Sequence, residues 1–525
     1  VLKSLFRILL SCKKDSLKLN DVLFALSRIG ADSTFIPLFT SVLFSSNKNI
    51  SAQSKIFALA AFRKLKYFPP LPELFKLVLL HKDWRIRTEA VKACSNYNFL
   101  NINDLKLYLS LLLDKNPNVA RQTAISLKNI IVPALLKPEL NKTLRSIIKE
   151  NHLSPSVIGE LFVSFAKLNT RDAQNIVSEF KNVVENKYIF KSIEEVPLNT
   201  KFTFKLLKSK KFNITPGNEN EYVTALMSLQ DSLQHSEEYA QYIIDAFQTG
   251  SPAAVGIISS SISDELIKHK RLKLINIITA LINTHKDDDN YLEALPTLAK
   301  IAKKISPTLY GQVLTTLATS KIPSIQNYSL QILGRKIKVK RTADLFENFW
   351  EFSFKYSKAK IITNKGNFII QFTPGYAPIS VGNFCYLASK HFYDGVSFHR
   401  VVPNFVIQTG DKLGTGWGGP GYEIKSEFSP LPFKSSAVGM ASAGRDTEGS
   451  QWFVTHSDFP HLNGRYTVFG YVISGKSVAD KINVSDKMEK VIQKIVDDLG
   501  IKKTEFVKSV VIENLKEIKF GDSKG

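Results

Sequence analysis

The sequence predicts two unlike parts in one chain: an all-α solenoid of stacked helical repeats over residues 1–340, and a closed antiparallel β-barrel with flanking helices over 359–520, joined by a connecting segment at 341–358. Three observations predict it. Up to about Lys340, apolar residues recur at three- and four-residue spacing, interrupted every 12 to 18 residues by Pro, Gly, Asn or Asp, the pattern of many short amphipathic helices. Beyond Ala359 the period changes to two, glycines concentrate and short strands recur. At 525 residues the chain also exceeds one ordinary core.

Within the first part a local theme repeats: Lys55-Ile-Phe-Ala58-Leu-Ala-Ala61, Arg87-Thr-Glu-Ala90-Val-Lys-Ala93 and Arg121-Gln-Thr-Ala124-Ile-Ser-Leu127, with successive alanines 32 and 34 residues apart. Lys82-Asp83-Trp84 and Lys115-Asn116-Pro117 precede the last two and suit helix entry, because Asp or Asn caps free N–H groups and Pro fits the first helical position. A fainter copy spans Pro323 to Ile332. The theme resembles HEAT-type repeats, in which a small residue lets paired helices approach and each unit buries its stripe against its neighbours. Between 170 and 290 the theme is hard to find, and Lys187 to Lys211 is open to reading as capping helices, a distorted repeat or a linker.

In the second part, Ala359-Lys-Ile-Ile-Thr, a turn at Asn364-Lys365-Gly366 and Asn367 to Phe372 predict a β-hairpin, followed by a short helix around Ile379 to Ser389. Then comes Tyr393-Asp-Gly-Val-Ser-Phe398-His399-Arg400-Val-Val-Pro403-Asn-Phe405-Val406-Ile-Gln408-Thr-Gly410-Asp411. Gly439-Met-Ala441-Ser442-Ala-Gly, Gly449-Ser450-Gln451-Trp452-Phe453-Val and His461-Leu462-Asn463-Gly464-Arg465-Tyr466-Thr-Val-Phe469-Gly470 follow in order. These four blocks resemble the signature of the cyclophilins, which implies a closed antiparallel barrel and peptidyl-prolyl cis/trans isomerase activity on X-Pro bonds, with no cofactor and no metal.

The chemistry such a site needs fits these residue types. Rotating an X-Pro bond crosses a barrier of about 18–20 kcal/mol, because the nitrogen lone pair is shared with the carbonyl. Catalysis requires a surface that prefers the twisted amide, and a guanidinium hydrogen bond to the prolyl nitrogen strengthens only as conjugation is lost. The resemblance assigns that role to Arg400, with Phe405 and Gln408 beside it. It implies a proline pocket of Phe405, Val406, Phe453, Leu462 and Tyr466, peptide contacts at Ala441 and Ser442, and a groove lined by Gln451. Val406 stands where many relatives carry Met, Ser442 where Asn is frequent, Tyr466 where many have His, and His461 where cyclosporin-binding relatives have Trp. The resemblance implies that Val406 alters the depth of the pocket without removing it, and that the changes at Tyr466 and His461 weaken cyclosporin binding rather than catalysis.

Other signals are weaker. Gly414-Thr-Gly416-Trp-Gly-Gly419 fits a dinucleotide fingerprint, but Pro420 and a strand-like segment follow it where a phosphate-binding helix is required. Ser450, His456 and Asp458 hold the letters of a hydrolase triad without a nucleophile elbow. His456 and His461 lack further ligands at metal spacing. His399 is expected to be a structural histidine with satisfied hydrogen bonds, and Phe398 and Phe469 to be core.

The net charge is +23; residues 355–525 hold 22 basic and 16 acidic side chains, leaving +17 on the helical part. The excess is dispersed lysine apart from small blocks such as Lys208 to Lys211 and Lys336 to Arg341, which favours a solvated surface; no nucleic acid is expected as partner. Cys12, Cys94 and Cys385 are too few and too scattered for a disulfide framework. No run of 18 apolar residues predicts a transmembrane helix. Leu9-Leu10-Ser11-Cys12 has the look of a lipoprotein cleavage site, but Arg7 interrupts the short apolar stretch, and the missing initiator Met points to a start upstream. Bacterial proteins of similar layout favour a periplasmic or envelope-facing location, with cytoplasm the alternative. The expected function is isomerisation of proline-containing polypeptide clients in protein folding, with the repeats recruiting clients or docking a protein partner; a non-catalytic proline-peptide binding scaffold is the other class. Turnover of a short peptide is expected not to depend on the repeats.

Overall fold

A computed structural model describes residues 16–47, 50–65, 79–94, 101–209, 212, 214–215, 217–335 and 342–495. Cys12 and its flanks, Lys210 and Lys211, the block from Lys336 to Arg341 and everything after 495 lie outside the described residues.

Nine of the described helices form one row: α1 (Ser16–Ile29), α2 (Ala52–Phe62), α3 (Trp84–Cys94), α4 (Pro117–Ser126), α5 (Pro155–Leu168), α6 (Asn186–Glu195), α7 (Glu219–Met227), α8 (Pro252–Ser261) and α9 (Ala294–Ile305). Each packs against the next. Helices such as Ile102–Ser110, Lys137–Glu150 and Glu237–Gln248 lie between them in the chain. Local chemistry sets the entries: the Ser51 hydroxyl accepts from the Ser54 N–H at 3.0 Å, the Asn116 side chain from the Asn118 N–H at 2.9 Å, and proline opens α4, α5 and α8. Ala58, Ala90 and Ala124 are wholly buried on consecutive members of the row, where a larger side chain would hold the helices apart. The faint copy at Pro323–Ile332 is also a helix.

Through 170–290 the row continues with a different contact. A Cβ added at Gly159 of α5 would overlap the Tyr188 ring of α6, so a glycine and an aromatic replace the alanine there. The stretch from Lys187 forms α6 and the helix Thr200–Leu207. Acid–base pairs tie neighbours together: Arg87 binds Asp114 through two nitrogens at 2.6 and 2.7 Å, and Glu160 takes Arg121 at 3.0 Å and Lys191 at 2.6 Å.

After α10 (Thr342–Lys355) the chain forms β1 (Tyr356–Thr363), β2 (Gly366–Phe372), α11 (Pro378–Ser389), β3 (Arg400–Val402), β4 (Val406–Thr409), β5 (Ala437–Met440), β6 (Trp452–Thr455), β7 (Val468–Ser474) and β8 (Met488–Ile495). The eight strands make one antiparallel, curled sheet in the order β3-β4-β6-β5-β7-β2-β1-β8. The predicted hairpin is β1–β2, with Gly366 at φ +118° closing its turn. The edge strands β3 and β8 do not pair with each other. Instead the segment before β3 meets the start of β8: the Phe398 N–H donates to Asp486 O at 2.8 Å and the Met488 N–H to Val396 O at 2.9 Å. Phe398 and Phe469 are fully buried, with Trp452 and Phe384 among them.

The N-terminal halves of the row face this sheet. Gln53 exchanges bonds with the Asp458 backbone, Arg85 donates to His456 O at 3.2 Å, Asn118 to Asp480 O at 2.9 Å and Asn220 to Thr415 O at 2.6 Å. The Trp84 ring meets His456 edge-on at 5.0 Å, and a Cβ on Gly256 of α8 would run into the Trp417 ring.

One buried carboxyl gives a stability test. Glu448 is fully buried and accepts from the Thr467 hydroxyl at 2.8 Å, while its second oxygen has no partner; burial pushes its pKa up to about 7. The folded state therefore holds a proton that the unfolded chain releases near pH 4.3, so the stabilisation is complete below that pH and lost as pH rises through 7. Glu448→Gln is expected to raise unfolding stability by on the order of 2 kcal/mol at pH 8 and to change little at pH 4.3 in denaturant titrations. An equal effect at both pH values would show that ionisation is not the cause.

Candidate active site

The hairpin β3–β4 carries the central residues. Arg400 and Gln408 are directly opposed in its register, and Gln408 is opposed in turn to Phe453 on β6. The outcome is a chain of hydrogen bonds across three segments: Arg400 donates to Gln408 Oε1 at 3.2 Å, Gln408 Nε2 to Gln451 Oε1 at 3.1 Å, and Gln451 Nε2 to the carbonyls of Gly416 and Gly418 at 2.9 and 3.0 Å. Each amide orientation follows from its neighbour, so the guanidinium is aimed from the far end of the relay. Arg400 itself is exposed and lies over the Phe405 ring, 5.9 Å from its centroid.

Beside the arginine sits a separate apolar cluster. Val406, Phe453 and Leu462 are buried in it, and Phe405, Ala441 and Tyr466 are half-buried at its surface. Aromatic contacts fix its shape: Phe453 meets Tyr466 edge-on at 5.8 Å, and Phe405 stacks on His461 at 6.1 Å. The Ala441 N–H donates to Gln451 O at 2.9 Å, while the backbone of Ser442 makes no hydrogen bond among the described residues, leaving it open to a peptide. Every site residue expected from the sequence thus falls on one contiguous surface. Burial lowers the pKa of this rim histidine, His461, with Arg28 and Arg465 adding to the effect.

One expectation changes. His399 is not satisfied: both ring nitrogens are buried without a hydrogen-bond partner, and burial lowers its pKa from the ordinary value. The glycine-rich segment Gly414 to Gly419 opens no helix, in agreement with the sequence. It wraps the buried Asp411 carboxylate, which accepts from the N–H groups of Leu413, Thr415 and Gly416 at 2.8, 2.9 and 2.6 Å. The supposed triad is dispersed, since the Ser450 hydroxyl donates to Gly410 O at 2.6 Å and His456 pairs with Asp480 at 3.1 Å.

Sequence reasoning missed what the helical row contributes. Lys92 donates to Pro403 O at 3.0 Å, Arg121 to Val401 O at 2.6 Å, and Glu89 accepts from Asn404 at 3.0 Å, so the β3–β4 hairpin is gripped from α3 and α4. Phe24 of α1 also stacks on His461, at 6.2 Å. The only sequence signal for the hairpin grip was the basic residue that opens the repeated theme, Arg121.

Comparison with known proteins agrees with this geometry. Residues 358–506 match the family described as cyclophilin type peptidyl-prolyl cis-trans isomerase. A peptidyl-prolyl cis-trans isomerase of Helicobacter pylori is 48% identical over 26% of this chain and 87% of that protein, and peptidyl-prolyl cis-trans isomerase B of Bacillus subtilis is 51% identical over 22% and 84%. A solved cyclophilin-type isomerase from Cryptosporidium parvum is similar at 30% identity and a TM-score of 0.25, covering 26% of this chain and 98% of that one. With the arginine, the amide relay and the apolar pocket on one face, and with relatives 48% and 51% identical matched over 87% and 84% of their own length, the chain belongs to the cyclophilin-type peptidyl-prolyl cis-trans isomerases.

Proposed function

We propose that the protein isomerises X-Pro bonds of polypeptide clients during folding, with Arg400 as the group that hydrogen-bonds the prolyl nitrogen in the twisted state. The observation that carries this is the Arg400–Gln408–Gln451 relay beside the Phe405–Phe453 pocket: an exposed cation is held over an apolar pocket by two amides. Phe405, Val406, Phe453, Leu462 and Tyr466 receive the proline ring, Ala441 and Ser442 offer backbone groups, and Gln451 lines the groove. The segments 395–398 and 485–488 complete the curled sheet as a closed barrel. The helical region to 340 acts as a HEAT-like solenoid, supported by the regular recurrence of its row, and the isomerase domain spans 359–520 after a connector.

The row gives the scaffold a particular form. Its inner ends are occupied by the isomerase domain, so it frames the active site and holds the hairpin that bears Arg400. Short-peptide turnover is therefore coupled to the row, contrary to the reading from sequence alone. The test pairs two assays, tetrapeptide isomerisation and the slow refolding phase of a proline-limited protein, on the full chain and on residues 355–525. The latter matches relatives that consist almost wholly of this domain. Both are expected to accelerate with the full chain, the peptide assay to weaken severalfold on removing the row, and the refolding assay to weaken further. Failure of the full chain on the peptide, with proline ligands still captured, favours a non-catalytic binding scaffold.

A further inference from the structure

Next to the amide relay lies a cavity of about 170 Å3 whose wall comes from both parts of the chain: Leu292 and Glu293 from the helical region, and Glu423, Ala441, Ser442 and Gln451 from the isomerase domain. Leu292 and Glu293 lead into α9, and their position is fixed. The Tyr291 hydroxyl donates to Gly250 O and its ring stacks on His285 at 3.9 Å, while the Asp288 carboxylate accepts from the Asn290 N–H at 3.0 Å. From there Asp289 is pressed against Gly421, where a Cβ would overlap its carboxylate, and Leu292 lies against Gly419. The glycine at 421 is what allows the approach of Asp289.

The cavity is acidic in a strongly basic molecule. Glu293 and Glu423 are its only charged lining side chains, and neither forms an ion pair among the described residues. Asp411 lies nearby, its carboxylate turned to the backbone N–H groups described above. Partial enclosure in the cavity, then the charges of Glu423 and Asp411, raises the Glu293 pKa although its side chain keeps contact with solvent; the same partial enclosure raises Glu423. An uncompensated pair of this kind favours a cation between its members. The same wall offers Leu292 and Ala441 as apolar surface, which suits a long aliphatic stem ending in a charge.

We propose that Glu293, supplied by the helical region, and Glu423, supplied by the isomerase domain, form a subsite for a Lys or Arg side chain lying within a few residues of the substrate proline. The helical row thereby sets substrate preference from within the catalytic groove. This rests on the isomerase reading above, because the cavity shares Gln408, Gln451, Ala441 and Ser442 with the proposed peptide groove.

The test uses the full chain and labelled hexapeptides containing one Ala-Pro bond, with Lys or Glu placed in turn at each flanking position. Affinity is read by fluorescence anisotropy and turnover on the same peptides. At one position the wild type is expected to bind the Lys peptide about tenfold more tightly than the Glu peptide, a ratio that falls to about threefold in Glu293→Gln and to unity or below in Glu293→Lys. Glu293 is exposed at the start of its helix, so both variants are expected to fold. Absence of a Lys preference in the wild type, or the same ratio in all three proteins, overturns the subsite. A charge-dependent ratio without turnover upholds the subsite and removes the isomerase reading instead.

Discussion

Arg400→Ala is expected to lower isomerisation of a short X-Pro peptide by about 10²–10³-fold, the loss typical of removing one preorganised donor to a transition state. The argument starts from where the residue sits. Arg400 is exposed on the edge strand β3, so its removal takes nothing from the core and the fold should persist. What disappears is a donor oriented by Gln408, which is oriented by Gln451, which is held by two glycine carbonyls. In the planar ground state the prolyl nitrogen is a poor acceptor, so the bond is weak there and strong only when the amide twists. The effect should therefore fall on kcat more than on peptide affinity. Arg400→Lys keeps the charge but loses the planar fork that meets Gln408, and should recover only part of the rate. Exchange spectroscopy at equilibrium, with circular dichroism to verify folding, provides the measurement. A folded Arg400→Ala protein with undiminished exchange removes the assigned role.

The legible parts of this protein are those in which one residue type answers a local demand. The four blocks around Arg400, Ser442, Gln451 and Tyr466 could be read because the groove is built from short segments whose order in the chain is fixed. The β1–β2 hairpin was legible from alternation and its glycine turn, and the early helices of the row from Ala58, Ala90 and Ala124, each buried on its helix. In the middle of the row the same contact is made by Gly159 against Tyr188, with Phe190, Tyr222 and Tyr239 buried nearby, so the alanine theme vanishes while the stacking continues. The docking of the row onto the isomerase domain left almost no trace. Most of its acceptors are main-chain carbonyls, those of Val401, Pro403, Thr415, His456 and Asp480 among them, which every residue type possesses. Glu293 gave no signal either, since a glutamate at the start of a helix is the ordinary complement to its dipole.

Glu160→Ala is expected to lower the stability of the helical row by about 3 kcal/mol and to loosen the hairpin that carries Arg400. Glu160 is 3% exposed on α5 and joins three members of the row, accepting from Arg121 of α4 and Lys191 of α6. Burial pushes its carboxyl up, but Lys191 and then Arg121 more than offset this, and its pKa falls below the ordinary value. Its contribution is thus fully present above the unfolded carboxylate pKa and is lost as pH falls through the lower folded one. Removing the carboxylate leaves two cations close together without their counter-charge, which costs more than the pair itself was worth. Arg121 then keeps only the Val401 carbonyl to satisfy it, with its Nε already buried and unpartnered. A guanidinium in that position turns toward water, and the Val401 contact goes with it. Denaturant midpoints should fall at pH 7, with the difference from wild type shrinking in acid. Hydrogen exchange should quicken at Phe405, whose N–H donates to Val402 O at 2.9 Å in the turn that Arg121 steadies. An unchanged midpoint would mean that Glu160 carries no net stability; a lower midpoint with unchanged exchange at Phe405 would mean that the row holds the hairpin through Lys92 and Glu89 instead.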